Sequence, residues 1–254
     1  RLGIDKARES AIKAVQIAPD SGLAVGSLGW TLSVDVRRWK EAEPHLRRAV
    51  ALDPWSTLLR RWYGGHLGKS GHYREALQQI EIALEMDPVS LAVRHLYAAE
   101  LFRARRFEAF YQQCLELVRI QPLDASSHHA LARALEWRGE YEKALQSCAQ
   151  AERLRNTPVA RSIRACIEAA RHNPAAAWKI AAEIDALWRA QQFESNLLAA
   201  LWCRLEQPDR AMSTLLCGFD RSDSTVITAL TSPYLARYAA HPGYLELRRR
   251  LGVA

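Results

Sequence analysis

Four prolines set the frame of this chain. Pro19, Pro54, Pro88 and Pro122 follow one another at 35, 34 and 34 residues. Twelve residues before each stands Ala7, Ala42, Ala76 or Phe110, and five residues before each stands Ala14, Ala49, Ala83 or Leu117. Two residues after each comes a helix-capping type: Ser21, Ser56, Ser90 or Asp124. A period of this length means stacked copies of one supersecondary unit rather than a single closed core.

Each unit reads as two helices. Between Leu58 and Met86, residues Leu59, Trp62, Tyr63 and Leu67 recur at helical spacing. Gly71-His72 interrupts them, and a second amphipathic run through Ala76, Leu77, Ile80, Ala83 and Leu84 ends at Asp87-Pro88. Ser90 is then placed to cap the next helix. Gly29, Gly64, Ala98 and Ala132 hold one equivalent place in successive first helices, where a small residue allows close antiparallel packing. Trp39, Tyr73, Phe107 and Tyr141 open the second helices and are expected to fill the gaps between units.

These residues resemble the tetratricopeptide repeat (TPR) family: Leu28-Gly29, Trp39-Lys40-Glu41-Ala42, Leu46, Ala49, Pro54; then Tyr63-Gly64, Gly71, Tyr73-Arg74-Glu75-Ala76, Ile80, Ala83, Pro88; then Leu131-Ala132, Gly139, Tyr141-Glu142-Lys143-Ala144, Cys148, Ala151. The resemblance covers Ile4 to about Arg155. It implies an all-α fold, a right-handed superhelical solenoid of antiparallel helix pairs. The unit over 91–124 departs from the pattern at Phe110 and Leu117. The expected organisation is the second half of a repeat over 1–21 and four regular units over 22–158 (22–56, 57–90, 91–124, 125–158). Two degenerate helical repeats over 159–221 and capping helices over 222–254 complete it. In the degenerate part, turns are expected at His172-Asn173-Pro174, Gln207-Pro208-Asp209 and His241-Pro242-Gly243, and short helices over Thr225–Leu230, Tyr234–Ala240 and Tyr244–Arg250. Because Ile4–Ala18 reads as half a repeat and the first residue is Arg1, the chain is expected to be part of a longer protein.

A narrower resemblance lies in the extra residue between Trp30 and Trp39, the junction Met86-Asp87-Pro88-Val89-Ser90-Leu91, and the close at Tyr234…His241-Pro242-Gly243-Tyr244…Arg250-Leu251-Gly252. It is similar to a bacterial subfamily in which such arrays form the C-terminal part of multidomain regulators. Their N-terminal part is a winged-helix DNA-binding domain, a nucleotide cyclase or a serine/threonine kinase. This chain carries no motif of those domains.

No catalytic constellation is present: there is no phosphate-cradling loop, nucleophile elbow or H-E-x-x-H. His128-His129 point about 100° apart on a helix and make no natural ligand pair. The five cysteines, Cys114, Cys148, Cys166, Cys203 and Cys217, include no C-x-x-C, so neither a zinc site nor a disulfide framework is expected, and free thiols fit the cytoplasm. Cys114 and Cys148, 34 residues apart, are expected in the core. No run approaches the ~18 apolar residues of a membrane span. No cofactor or metal is expected, and the chain is read as a non-enzyme.

The family resemblance assigns ligand binding to a concave groove lined by the first helices, and the helical period selects the side chains that face it. These include Trp30; Arg61, Trp62 and Lys69; His95, Phe102 and Arg103; and His129, Arg133 and Trp137, alongside Leu23 and Glu136. Aromatic and basic groups together favour a protein or peptide ligand with acidic and apolar residues. A clamp for a C-terminal carboxylate, which in this family uses Lys and Asn, finds only Lys69. The net charge of +7 leaves RNA binding as an alternative, since pentatricopeptide repeats share the plan, but the recurring Gly/Ala, Ala and Pro positions favour the tetratricopeptide class, so nucleic acid is not expected as the partner. The regulatory half of a cyclase or kinase is a further alternative. Exposure of Trp178, Trp188 or Trp202 would supply a face for a homodimer.

Overall fold

A computed structural model describes residues 2–253, and within them every regular element is helical. The chain forms two compact units, the first ending at Ala104 and the second beginning at Arg105. The boundary lies inside the sequence-defined unit 91–124, the one whose second helix carries Phe110 and Leu117 in place of alanines.

Unit 1 contains α1 (Leu2–Ile17), α2 (Gly22–Ser33), a 3-10 turn (Trp39–Glu41), α3 (Ala42–Leu52), α4 (Thr57–Lys69), α5 (Tyr73–Met86) and α6 (Leu91–Arg103). The hairpins α2/α3 and α4/α5 stack, and α2, α4 and α6 neighbour one another in turn. Ala42, Leu46, Ala49, Ala76, Ile80 and Ala83 are fully buried, so the small-residue positions do bring the helices together. At Gly64 a Cβ would stand 2.7 Å from Ile80 Cγ1, which no real side chain tolerates. In the first hairpin Trp39 is buried, but it opens the 3-10 turn rather than the α-helix. Pro44 then falls in the first turn of α3, where its missing N–H costs no helical bond.

The caps are not uniform. Ser21 accepts from Ala24 N (3.2 Å), Ser56 from Leu59 N (3.4 Å), and Asp124 from Ser127 N (2.8 Å). Ser90 has extended backbone angles but its side chain caps nothing, so the expected capping bond is absent there. A second device recurs with the same period. Arg60 Nε donates to Pro54 O (2.8 Å), Arg94 Nε to Pro88 O (2.7 Å) and His128 Nε2 to Pro122 O (2.8 Å). The residue six beyond each proline thus ties down the inter-repeat turn, satisfying a carbonyl that no helix can use.

Unit 2 contains α7 (Phe107–Ile120), α8 (Ala125–Trp137), α9 (Tyr141–Leu154), α10 (Pro158–Ala170), α11 (Pro174–Arg189), α12 (Ser195–Arg204), α13 (Pro208–Asp220), α14 (Thr225–Ala229), a 3-10 turn (Ala236–Tyr238) and α15 (Pro242–Arg250). The pairs α8/α9, α10/α11 and α12/α13 form hairpins, α14 packs on α12, and α15 packs on α13. Pro174, Pro208 and Pro242 are not turn residues but first helical residues, the position where proline's fixed φ and missing donor are best tolerated. The helix expected over Tyr234–Ala240 shrinks to one 3-10 turn. Asp223 starts α14 by accepting from Thr225 N (2.9 Å) and Thr225 Oγ1 (2.7 Å). All five cysteines are free; Cys114, Cys148, Cys166 and Cys203 are buried and Cys217 is half-buried.

Candidate functional site

In unit 1 the first helices α2, α4 and α6 present a wall. Trp30 is 42% exposed, and its ring lies 6.0 Å from that of Trp62 at 34°. Trp62 is half-buried and also packs against two core clusters, one holding Leu28 and Leu32 and the other Val25 and Leu59. Leu23 is exposed on α2. Arg61 is half-buried and makes no ion pair among the described residues. His95 is half-buried on α6. Phe102 is a correction: at 4% exposure it is a core residue, its large apolar ring removed from water.

Lys69 and Arg103 belong to a polar ladder at the C-terminal ends of the three first helices. Lys69 Nζ donates to the Ser33 hydroxyl (3.5 Å), which also shares a hydrogen bond with His66 Nδ1 (3.2 Å). The Trp39 ring lies 6.1 Å from the imidazole. Arg103 ion-pairs with the fully buried Glu100, whose Oε2 has no hydrogen-bond partner. A Cβ on Gly68 would overlap that carboxylate, so glycine is what lets Glu100 press against the backbone of α4. Burial, aided by the nearby Lys69 charge, lowers the His66 pKa to about 4, so the imidazole is neutral. Burial and the Arg103 charge lower Lys69 to about 8. Burial raises the Glu100 carboxyl, opposed by Arg103 and Lys69. Sequence reasoning found Lys69 and Arg103 but missed Ser33, His66 and Glu100. Their near-34-residue spacing was the available signal.

In unit 2 the corresponding wall on α8 is largely taken up by the chain itself. His129 and Arg133 are half-buried, and burial lowers the His129 pKa. Trp137 stacks on Phe107 (4.7 Å) and meets Tyr234 edge-on (5.3 Å), with the Arg204 guanidinium 4.9 Å over its ring. Trp137 is therefore the second correction: its ring is engaged by distant parts of its own unit, because a large flat surface beside a buried carboxylate is covered most favourably by an aromatic and a cation. That carboxylate is Glu136, 3% exposed, paired with Arg204 Nη2 (2.7 Å) and accepting from Tyr234 OH (2.9 Å). Burial raises the Glu136 carboxyl against the opposing pull of Arg204 and Tyr234.

Of the tryptophans that could offer a self-association face, Trp202 is buried, Trp188 is half-buried with Nε1 donating to Ser195 Oγ (3.0 Å), and Trp178 is 36% exposed. Among the described residues, no three His, Cys, Asp or Glu side chains converge as a metal site, and no helix is long and apolar enough to cross a membrane.

No protein-family model and no curated protein matches this sequence. Solved structures do match. The chain is similar to TTC0263, a TPR protein of Thermus thermophilus, at 22% identity over 77% of this chain and 100% of that one, with a TM-score of 0.59. It is similar to pilF of Pseudomonas aeruginosa at 20% identity over 97% of this chain and 99% of that one, with a TM-score of 0.52. It is also similar to YrrB, described as a TPR protein with an unusual peptide-binding site, at 17% identity over 70% of this chain and 92% of that one, with a TM-score of 0.50. Together with the helix pairing, these likenesses show that the fold is that of TPR proteins.

Proposed function

We propose that this chain is a protein-interaction scaffold that takes up an acidic, apolar segment of a partner protein on the α2/α4/α6 wall of unit 1. The observation that carries this reading is the exposed indole of Trp30 tilted onto Trp62, on a wall whose Arg61 has no ion pair among the described residues. Tryptophan and arginine are the side chains that most often dominate interface energetics, and an uncompensated cation next to apolar surface favours an acidic, apolar partner. YrrB, which shares the fold, is described as having a peptide-binding site, and that supports binding rather than catalysis as the role. We place the wall in the docking part of a larger bacterial transcriptional or signalling regulator working in the cytoplasm. This rests on the likeness of the Met86–Leu91 junction and the Tyr234–Gly252 close to such regulators, and on five free thiols.

The test is fluorescence polarisation with labelled peptides that alternate Asp or Glu with Leu and Phe, against counterparts in which Lys and Arg replace the acids. The acidic series binds and the basic series does not. Trp30→Ala and Arg61→Ala each weaken binding about tenfold, as expected for interface anchors, while Trp137→Ala changes nothing provided circular dichroism shows the variant folded. Equal binding of both series, or acidic-peptide affinity unmoved by Trp30→Ala and Arg61→Ala, refutes the reading.

A further inference from the structure

Unit 2 holds a cavity of about 660 Å³ between α11, α12 and α13. That is within the range of small-molecule sites, which span roughly 300–1,000 Å³. Its apolar walls are Trp178, Ala182, Trp188 and Trp202. The rings of Trp178 and Trp202 lie 5.7 Å apart at 49°. Arg210, on α13, lays its guanidinium over both, 5.3 Å from the centre of the Trp178 ring and 5.1 Å from that of Trp202.

The charges of the lining are not equally available. Arg189 is held by Asp185 at 2.8 Å. Asp209 lies at the rim, its side chain 94% exposed, beside His241 at 3.2 Å. Arg210 makes no ion pair among the described residues, and its position is set by the two indoles rather than by an acid. The guanidinium already covers the indole faces that would attract a cationic ligand, so it disfavours one. What it offers is a pre-positioned planar fork, the group best matched to a carboxylate.

We propose that this cavity binds a small, flat, singly anionic organic molecule, an aromatic carboxylate, with the carboxylate on Arg210 and the ring against Trp178, Ala182 and Trp188. Cys217 supplies an internal reporter, since it lines the cavity and is half-buried while the other four cysteines are buried. The site is separate from the wall of unit 1, so either reading can fail without the other.

The experiment is isothermal titration of the full chain with indole-3-acetate and with its neutral analogue indole-3-ethanol, paired with the rate of Cys217 alkylation by iodoacetamide. The carboxylate binds about tenfold more tightly than the alcohol, the gain expected of a charge-assisted pair. Arg210→Gln abolishes that preference, and Arg119→Gln, on α7, keeps it. Saturating indole-3-acetate slows alkylation of Cys217 in the unmodified protein, a readout that does not depend on any variant folding. The proposal is overturned by equal affinity for acid and alcohol, by no binding of either at millimolar concentration, by a preference that survives Arg210→Gln, or by an unprotected Cys217. It is also overturned by a dimer in sedimentation equilibrium that Trp178→Ala dissolves, which would make the cavity mouth an interface between copies.

Discussion

Glu100 in unit 1 and Glu136 in unit 2 are both buried carboxylates near the end of a first helix, and they are satisfied in opposite ways. Glu100 is held by Arg103, one turn along its own helix, against the backbone of the neighbouring α4. Glu136 is held by Arg204 and by Tyr234, the latter 98 residues away in sequence. The first acid finds its cation on its own helix and its contact surface on the adjacent first helix. The second acid, though in the last regular unit, draws its partners from Arg204 and Tyr234 beyond the periodic part of the sequence, and those partners also cover Trp137 on α8. The aromatic ring at the end of α8 is therefore engaged within unit 2, whereas Trp30 on α2 stays exposed.

The largest effect should come from the long-range cluster. Arg204→Ala leaves a buried carboxylate without its cation and is expected to cost about 3–5 kcal/mol, read from urea unfolding of unit 2. Tyr234→Phe, which removes one hydrogen bond to the same acid, should cost about 1–3 kcal/mol. Arg103→Ala should cost less than Arg204→Ala: each acid keeps a second nearby cation, Lys69 for Glu100 and Arg133 for Glu136, but Arg204 also covers the rings of Trp137 and Tyr234. Equal costs for the two arginines would erase the distinction between local and long-range satisfaction.

The next two predictions probe the ladder in unit 1. Gly68→Ala drives a methyl into the Glu100 carboxylate and should cost up to about 3 kcal/mol, whereas Gly65→Ala, whose Cβ would sit 3.5 Å from Leu96 Cδ1, should be neutral or slightly stabilising. A smaller effect is expected from pH. The His66 pKa is depressed from 6.5 to about 4, so between those values the unfolded chain binds more protons than the folded one. Stability is therefore intact above pH 6.5 and lost as the pH falls toward 4. Comparing pH 7 with pH 5, the loss should be about 2 kcal/mol greater in the unmodified protein than in His66→Gln. Glu100, raised by burial, has the opposite slope, favouring the fold at low pH, and it is present in both proteins. Parallel pH curves would mean that the imidazole is not held neutral by burial.

The helix pairing was legible in the sequence because it follows from period and residue size alone. The helices α4, α6 and α8 each begin one residue after the capping types Ser56, Ser90 and Asp124. The meeting of Trp30 and Trp62 follows from the same period. What could not be read was satisfaction of buried charge. A helical period assigns a residue to a face but does not say which distant group will meet it, so the period puts Trp137 on the groove face and carries no sign of its covering by Tyr234 and Arg204. Phe102 and Lys69 lie close to the same face, and only packing separates the buried ring from the cation. The prolines of unit 2 were misplaced by a local ambiguity: proline ends one helix and starts the next equally well, and without a strict repeat the two uses look alike.

The caps offer the finest test of how uniform the periodic part of the chain is. Ser56, Ser90 and Asp124 occupy the same place in three successive repeats, and sequence alone treats them as equivalent. In the structure two of them accept a bond from the helix they precede and one does not. A cap that accepts such a bond contributes typically about 1 kcal/mol, within a range of roughly 0.5–2. Ser56→Ala and Asp124→Ala should each lower stability by that amount in urea melts, with Asp124 the costlier because it also receives the Ser127 hydroxyl at 2.7 Å. Ser90→Ala should change stability by only a few tenths of a kcal/mol, since no helical donor loses its partner. If all three cost the same, Ser90 caps α6 in solution and the array is more regular than its hydrogen bonds indicate. If Ser90 alone is silent, the start of α6 rests on the Arg94 tie to Pro88 O (2.7 Å), and Arg94→Ala should then cost more than Arg60→Ala, whose helix retains the Ser56 cap.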